Sequence, residues 1–299
     1  MSTVTSNIQD PTAVAGEPSK PSSPSPEGEN RPHRTLSRVA ARWSAELWRP
    51  VTFVVALCLL WWLVTARNWV APFILPSPQD TWGAVVDNAG YLAQHTTVTS
   101  IETILGFFIA FVLGEIVAVL MVYSKSLEKT MYPIILFAQV IPKIAIAPLF
   151  VVWLGFGMEP KIFVAVLMAF FPIVISGMAG LRSVDPEILE LTSTMGANPL
   201  KTFLKVRLPA SLPQLMSGLK VAATLAVTGA VVGEFVGANE GLGYVILQAN
   251  GNIDTAMLFA ALIIMSLLGV LLFAIIQIAE WFLIPWHASR RTTASTSGA

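Results

Sequence analysis

The sequence predicts an all-α membrane protein with six transmembrane helices, and three observations carry that prediction. Of 299 residues, 55 % are hydrophobic and only 12 % charged, about half the charged share of an ordinary soluble domain. The apolar residues come in long runs, close to the roughly 20 residues that a bilayer demands of a helix. The Lys and Arg residues collect between alternate runs, as orientation in a membrane requires. A helical reading of the runs is forced, since lipid offers no partner to an open backbone amide.

The chain divides accordingly. Residues 1–48 are expected to be a disordered cytoplasmic tail, because segment 11–32 is rich in Pro, Ser, Gly and Glu and has almost nothing to bury. Arg31, Arg34, Arg38, Arg42 and Arg49 then gather before the first apolar run. A long polar tail before that run, and no small-residue cleavage site after it, argue against a signal peptide. The membrane domain is 49–286, with spans at about 50–66, 98–123, 131–154, 162–181, 214–236 and 256–284. Residues 287–299 form a second cytoplasmic tail.

With the first tail inside, fourteen of the 18 Lys and Arg residues fall on inner segments. Only Arg67 and Lys161 fall outside, among Asp80, Asp87, Glu159, Glu240 and Asp254. Both termini are therefore expected to be cytoplasmic, in a multi-pass protein of the cell's inner membrane. The zero net charge leaves no basic excess for nucleic acid. Cys58 is the only cysteine, and His33, His95 and His287 have no ligand-type neighbours, so neither a disulfide framework nor a metal site is expected. No cofactor is called for.

Between the first two spans, Ser77-Pro78-Gln79-Asp80 reads as a helix start, with Ser77 as cap and Pro78 in the first helical position. The helix is expected to run to about His95 along the outer surface, as an interfacial anchor or as a docking element for a binding protein. The fourth and fifth spans are joined by the polar segment 182–213. There Asp185 and Pro186 open a helix to Met195, with Gly196 as a left-handed stop. Asn198-Pro199 opens a second short helix, which Leu208-Pro209 is expected to end. Ser211 and Pro213 then open the fifth span.

Ionisable groups at membrane depth are costly and mark candidate sites. Glu115 and Lys143 lie midway along the second and third spans, and Pro142 and Pro148 flank Lys143 so as to break its helix. Two readings stay open: Lys143 lines a pathway for an anion, or it pairs with Glu115. Lys220 and Glu280 can snorkel and read as structural. Gly218, Ala222, Ala223, Ala226, Gly229 and Ala230 stud the fifth span, which suits either a pathway or dimer interface or packing within the subunit.

Glu190, six positions before Gly196, then nine residues, then Val206-Arg207-Leu208-Pro209, resembles the EAA motif of bacterial ABC importer permeases. The chain departs from that motif at Leu191 and Thr192, where alanines are preferred, and at Val206, where isoleucine is. Pro142-Lys143-Ile144-Ala145-Ile146-Ala147-Pro148-Leu149, with Trp153-Leu154-Gly155-Phe156-Gly157, is similar to nitrate, sulfonate and taurine-type permeases. So are Glu234 with Gly241-Leu242-Gly243-Tyr244, and Leu75-Pro76-Ser77-Pro78. The resemblance covers about 75–285.

The resemblance implies a type I ABC importer permease fold with cytoplasmic coupling helices. Its implied partners are cytoplasmic ATPase subunits, an extracytoplasmic binding protein, a second permease subunit in a homodimer and the surrounding lipid bilayer. ATP hydrolysis then belongs to a partner, in keeping with the lack of any P-loop here. ATPase coupling is implied for Glu190, Gly196, Val206, Leu208 and Pro209. Lys143, Pro142, Pro148 and Glu234 are the pathway candidates. The implied cargo is alkanesulfonate, taurine or nitrate, with a pyrimidine thiamine precursor or riboflavin as alternatives. An ATP-independent secondary transporter would show internal repeats or paired intramembrane carboxylates, neither of which stands out.

Overall fold

The computed structural model describes residues 36–285, of which 36–47 and 49 are described as backbone only. The expected C-terminal tail and the first 35 residues lie outside the described residues. The chain divides into two compact units, 1–54 and 55–299. In the first, the described segment is the start of helix α1 (Leu36–Ala66), which begins inside the expected disordered tail.

The second unit is all-helical among the described residues: α2 (Pro78–Asp87), α3 (Ala89–Tyr123), α4 (Lys125–Val140), α5 (Lys143–Leu154), α6 (Glu159–Leu181), α7 (Pro186–Thr194), α8 (Pro199–Thr202), α9 (Leu208–Gly237), α10 (Leu242–Gly251) and α11 (Thr255–Leu283). Residues Phe203–Arg207 form a π-helical turn between α8 and α9. Four stretches are long and apolar enough to cross a membrane: α3, α6, the continuous Pro199–Gly237 and α11. The expected third span is instead two helices, α4 and α5, bent by 95°. The expected first span corresponds to Pro50–Ala66, a shorter apolar stretch. Six predicted spans thus become four long helices, one bent pair and one short segment.

The bend sits at Ile141-Pro142, where Pro142 precedes α5 with extended backbone. Pro148, expected to break the chain as well, lies inside α5. There the proline costs one backbone hydrogen bond without ending the helix. The outer surface helix is also shorter than expected. Ser77 does cap α2 in a reciprocal box with Asp80, whose backbone N donates to Ser77 Oγ at 3.1 Å. However, α2 ends at Asp87, and residues 89–97 open α3 instead.

The core is built where α9 lies on α6, with α3 against both and α11 against α9. The small residues of the fifth span face α6 of the same chain. A Cβ on Gly229 would stand 2.6 Å from the Ala165 Cα and 2.9 Å from the Val164 carbonyl. The structure shows packing within the subunit at these glycines. Leu92, Val245, Ile246, Ala260 and Ala261 make a smaller cluster under α2, joined by Ala84 and Val85.

Gly229→Val should therefore force α6 and α9 apart at a backbone contact, costing about 1–3 kcal/mol or more of stability. The check is thermal unfolding of detergent-purified protein, with Gly269→Val, where a Cβ meets nothing within 4 Å, as the tolerated control.

Candidate functional site

Segment 182–207 projects from one end of the bundle. Pro186 sits in the first turn of α7 with Asp185 before it, although the Asp185 side chain makes no capping bond. The helix closes at Met195, and Gly196 follows at φ +68°, the left-handed conformation anticipated for it. Asn198 Oδ1 then accepts from the Leu200 N at 3.0 Å and starts α8. The expected stop at Leu208-Pro209 does not occur. The Leu208 N–H bonds to the Phe203 carbonyl, five residues back, and this wider turn makes room for the Pro209 ring as α9 begins.

No residue of α7 is buried. Ile188, Leu191 (59 % exposed) and Met195 (76 %) present apolar surface, and Leu200 and Leu204 continue it. Glu190 is exposed, and its carboxylate has no hydrogen-bond or ion-pair partner among the described residues. Val206, Leu208 and Pro209 are half-buried and belong to the root of the projection rather than its tip. That root is anchored to other helices. Arg182 pairs with Glu128 of α4. The Arg207 guanidinium lies 5.8 Å over the Tyr123 ring of α3 and donates to the Leu181 carbonyl at 3.4 Å. Tyr123 also meets Phe203 at 6.1 Å between ring centroids.

Within the bundle, Lys143 opens α5 and its ammonium lies 4.8 Å over the Phe171 ring. It forms no ion pair with Glu115, so that alternative is not realised. Glu115 lies against Gly177 of α6, and its Oε1 has no hydrogen-bond partner among the described residues. Pro142 and Pro148 are exposed beside Lys143. Lys220 and Glu280 pair with each other across α9 and α11, in keeping with a structural role.

Glu234 is placed differently from its expected position along a pathway. It is 0 % exposed, and both oxygens are used inside the fold. Oε1 accepts from the Thr99 hydroxyl at 2.6 Å, and Oε2 from the Gly243 N at 2.5 Å. Thr99 Oγ1 accepts in turn from the Leu242 N at 2.8 Å, and His95 Nδ1 from the Gly241 N at 2.9 Å. Gly241 holds φ +110°, and a Cβ on Gly243 would run into Glu234. The spacing of Glu234 to Gly-Leu-Gly is thus a carboxylate closing on the Gly243 amide of the turn that follows it. Beside it, Lys161 pairs with Glu102 at 2.7 Å, both buried. Lys161 is accordingly a core residue and not the outer-loop charge expected of it.

The comparisons with known proteins can be set against this geometry. Residues 103–280 match the family described as binding-protein-dependent transport system inner membrane component. The chain belongs to this family. The formylaminopyrimidine transport permease protein ThiX of Halalkalibacterium halodurans is 37 % identical over 80 % of the chain and 95 % of its own length. The taurine transport system permease protein TauC of Escherichia coli is 28 % identical over 82 % of the chain and 94 % of its own. A chain of the MetNI methionine ABC transporter, solved in inward-facing conformations, aligns with TM-score 0.56 and 25 % identity. It covers 66 % of this chain and 96 % of the solved one. The protein is an ABC transporter permease with the type I fold.

Sequence reasoning misses His95, Thr99 and Glu102 of this permease. Their signal is present: Leu92, His95, Thr99, Glu102, Gly106, Ala110 and Gly114 recur every three or four residues, and all are buried on α3.

Removing one member of the Lys161–Glu102 pair strands the other charge in the core. Lys161→Met should cost about 3–5 kcal/mol, and adding Glu102→Met should return most of that loss. Melting temperatures of the two single variants, the double variant and the parent close the cycle.

Proposed function

We propose that this permease receives the work of ATP hydrolysis through α7, on a separate cytoplasmic ATPase subunit. The observation that carries the reading is a short helix with no buried residue, apolar at Ile188, Leu191 and Met195, with Glu190 among them and unpartnered among the described residues. Exposed apolar surface of this kind marks an interaction site. Proline at its start, a left-handed glycine at its end and a root tied to α3, α4 and α6 make it stiff enough to transmit force. An extracytoplasmic binding protein delivers cargo to the opposite face. Two copies of the chain enclose the pathway in the cell's inner membrane, with both termini and α7 on the cytoplasmic side.

Lys143 contributes to the pathway in this reading, since it stands at the break between α4 and α5 and forms no ion pair among the described residues. For the cargo, the relatives carry more than one substrate name. The formylaminopyrimidine permease is more similar than the taurine permease, so a small aminopyrimidine is preferred to a sulfonate or nitrate. Calorimetric titration of the cognate binding protein with a formylated aminopyrimidine and with taurine decides between them.

Two substitutions test the coupling role. Leu191→Asp places a charge on the apolar face and should reduce co-purification of the ATPase subunit about tenfold or more. Gly196→Val meets no steric obstacle but cannot hold φ +68° without strain of about 1–2 kcal/mol. It should lower uptake while leaving the permease folded. Unchanged uptake and unchanged co-purification in both variants would remove α7 from the mechanism.

A further inference from the structure

Helix α10 begins without a cap of its own. Its N-cap residue is Gly241, which has no side chain to offer. The amides that any α-helix leaves open at its start are taken one each by side chains of other helices. His95 accepts from the Gly241 N, Thr99 from the Leu242 N and Glu234 from the Gly243 N. Two of these residues belong to α3 and one to α9, and the Thr99–Glu234 bond ties the two helices together at the same point. By contrast α2, α4 and α11 are capped by the residues just before them, Ser77, Ser124 and Asp254. The position at which α10 starts is therefore set from outside it.

The same two helices reach the root of α7 at their other ends. Tyr123 closes α3 under Arg207 and Phe203, and Arg207 directly precedes α9. The 30 residues of α9 span about 45 Å. Apolar packing of α10 on α11, through Val245, Ile246, Ala260 and Ala261, can slide. Three buried hydrogen bonds cannot, because each is costly to leave unmade once water is excluded.

We propose that His95, Thr99 and Glu234 are positioning residues for transport, which make α10 move with α3 and α9 when α7 is displaced. Movement started by the ATPase at one face is thereby carried to the other. This rests on the reading of α7 as the ATPase contact.

The experiment uses full-length permease in complex with its ATPase subunits in lipid nanodiscs, in a Cys58→Ser background. An environment-sensitive fluorophore is placed either at Ser193→Cys on α7 or at Asn250→Cys on α10, both exposed positions. ATP with vanadate should change both signals in the parent. In Thr99→Val, which keeps shape and loses the hydroxyl, the Asn250 response should fall about fivefold while the Ser193 response persists. Thr99→Ser should restore it. An unchanged Asn250 response in Thr99→Val, or none in the parent when Ser193 responds, overturns the proposal. A silent Ser193 label in the parent counts instead against α7 as the ATPase contact. If Thr99→Val is not recovered in the membrane, Glu234→Gln carries the same expectation. Recovery of neither variant also overturns the positioning role, since the cap then serves folding alone.

Discussion

The backbone contact of α6 with α9 is the constraint on which the remaining architecture depends. Helices normally keep their axes apart by the width of their side chains. Here glycine and alanine on α9 remove that spacer, and the Gly229 backbone meets that of Ala165 directly. In a bilayer, where apolar burial between helices gains little over lipid, this close van der Waals contact is a main source of cohesion. It also fixes register, because a shift of one residue would drive a side chain into the opposing backbone. With the register fixed, Lys161 of α6 and Glu234 of α9 arrive at one end of the bundle. Arg182 and Arg207, which follow α6 and precede α9, arrive at the other.

The two ends are held by different chemistry. At the α7 end, the contacts are an ion pair with partly exposed partners, a cation over an aromatic ring and one long hydrogen bond. Such contacts are weak individually, and it is their combination that anchors the root. The π-helical turn at Phe203–Arg207 belongs to the same pattern. It admits Pro209 without ending the helix, so α8 and α9 form one continuous stretch with a locally widened turn. At the α10 end, Glu234, Thr99, His95, Glu102 and Lys161 are buried and bonded to one another or to backbone.

Much of this organisation is legible in the sequence, and the parts that are not have identifiable causes. Asp185, Pro186 and Gly196 mark α7 because cap and stop signals act locally, on the residues next to them. The capping box of Ser77 and Asp80 is readable for the same reason. The length of α2 and the fate of Leu208-Pro209 are not local matters. A proline removes a backbone donor, and here the chain passes through a π turn just before Pro209, with Arg207 and Phe203 of that turn both reaching Tyr123 of α3. Lys161 shows the same limit. Its count as a loop charge follows from its place between two apolar runs, whereas its real partner, Glu102, is 59 residues away in the chain. Long-range pairing of this kind leaves only a periodicity on α3 as its trace.

Glu234 shows how one motif serves two scales. Locally, its carboxylate stabilises a turn whose glycines are required by conformation at Gly241 and by space at Gly243. An acidic group at a helix start is also favourable to the helix dipole. Over the whole molecule, the same carboxylate joins the end of α9 to α3 through Thr99 and to α10 through Gly243. A charge facing a pathway could do neither, since water would compete for both oxygens. Burial is therefore what makes the residue useful here: the bonds that shield its oxygens from water are those that let the end of a long helix fix the place of the next one.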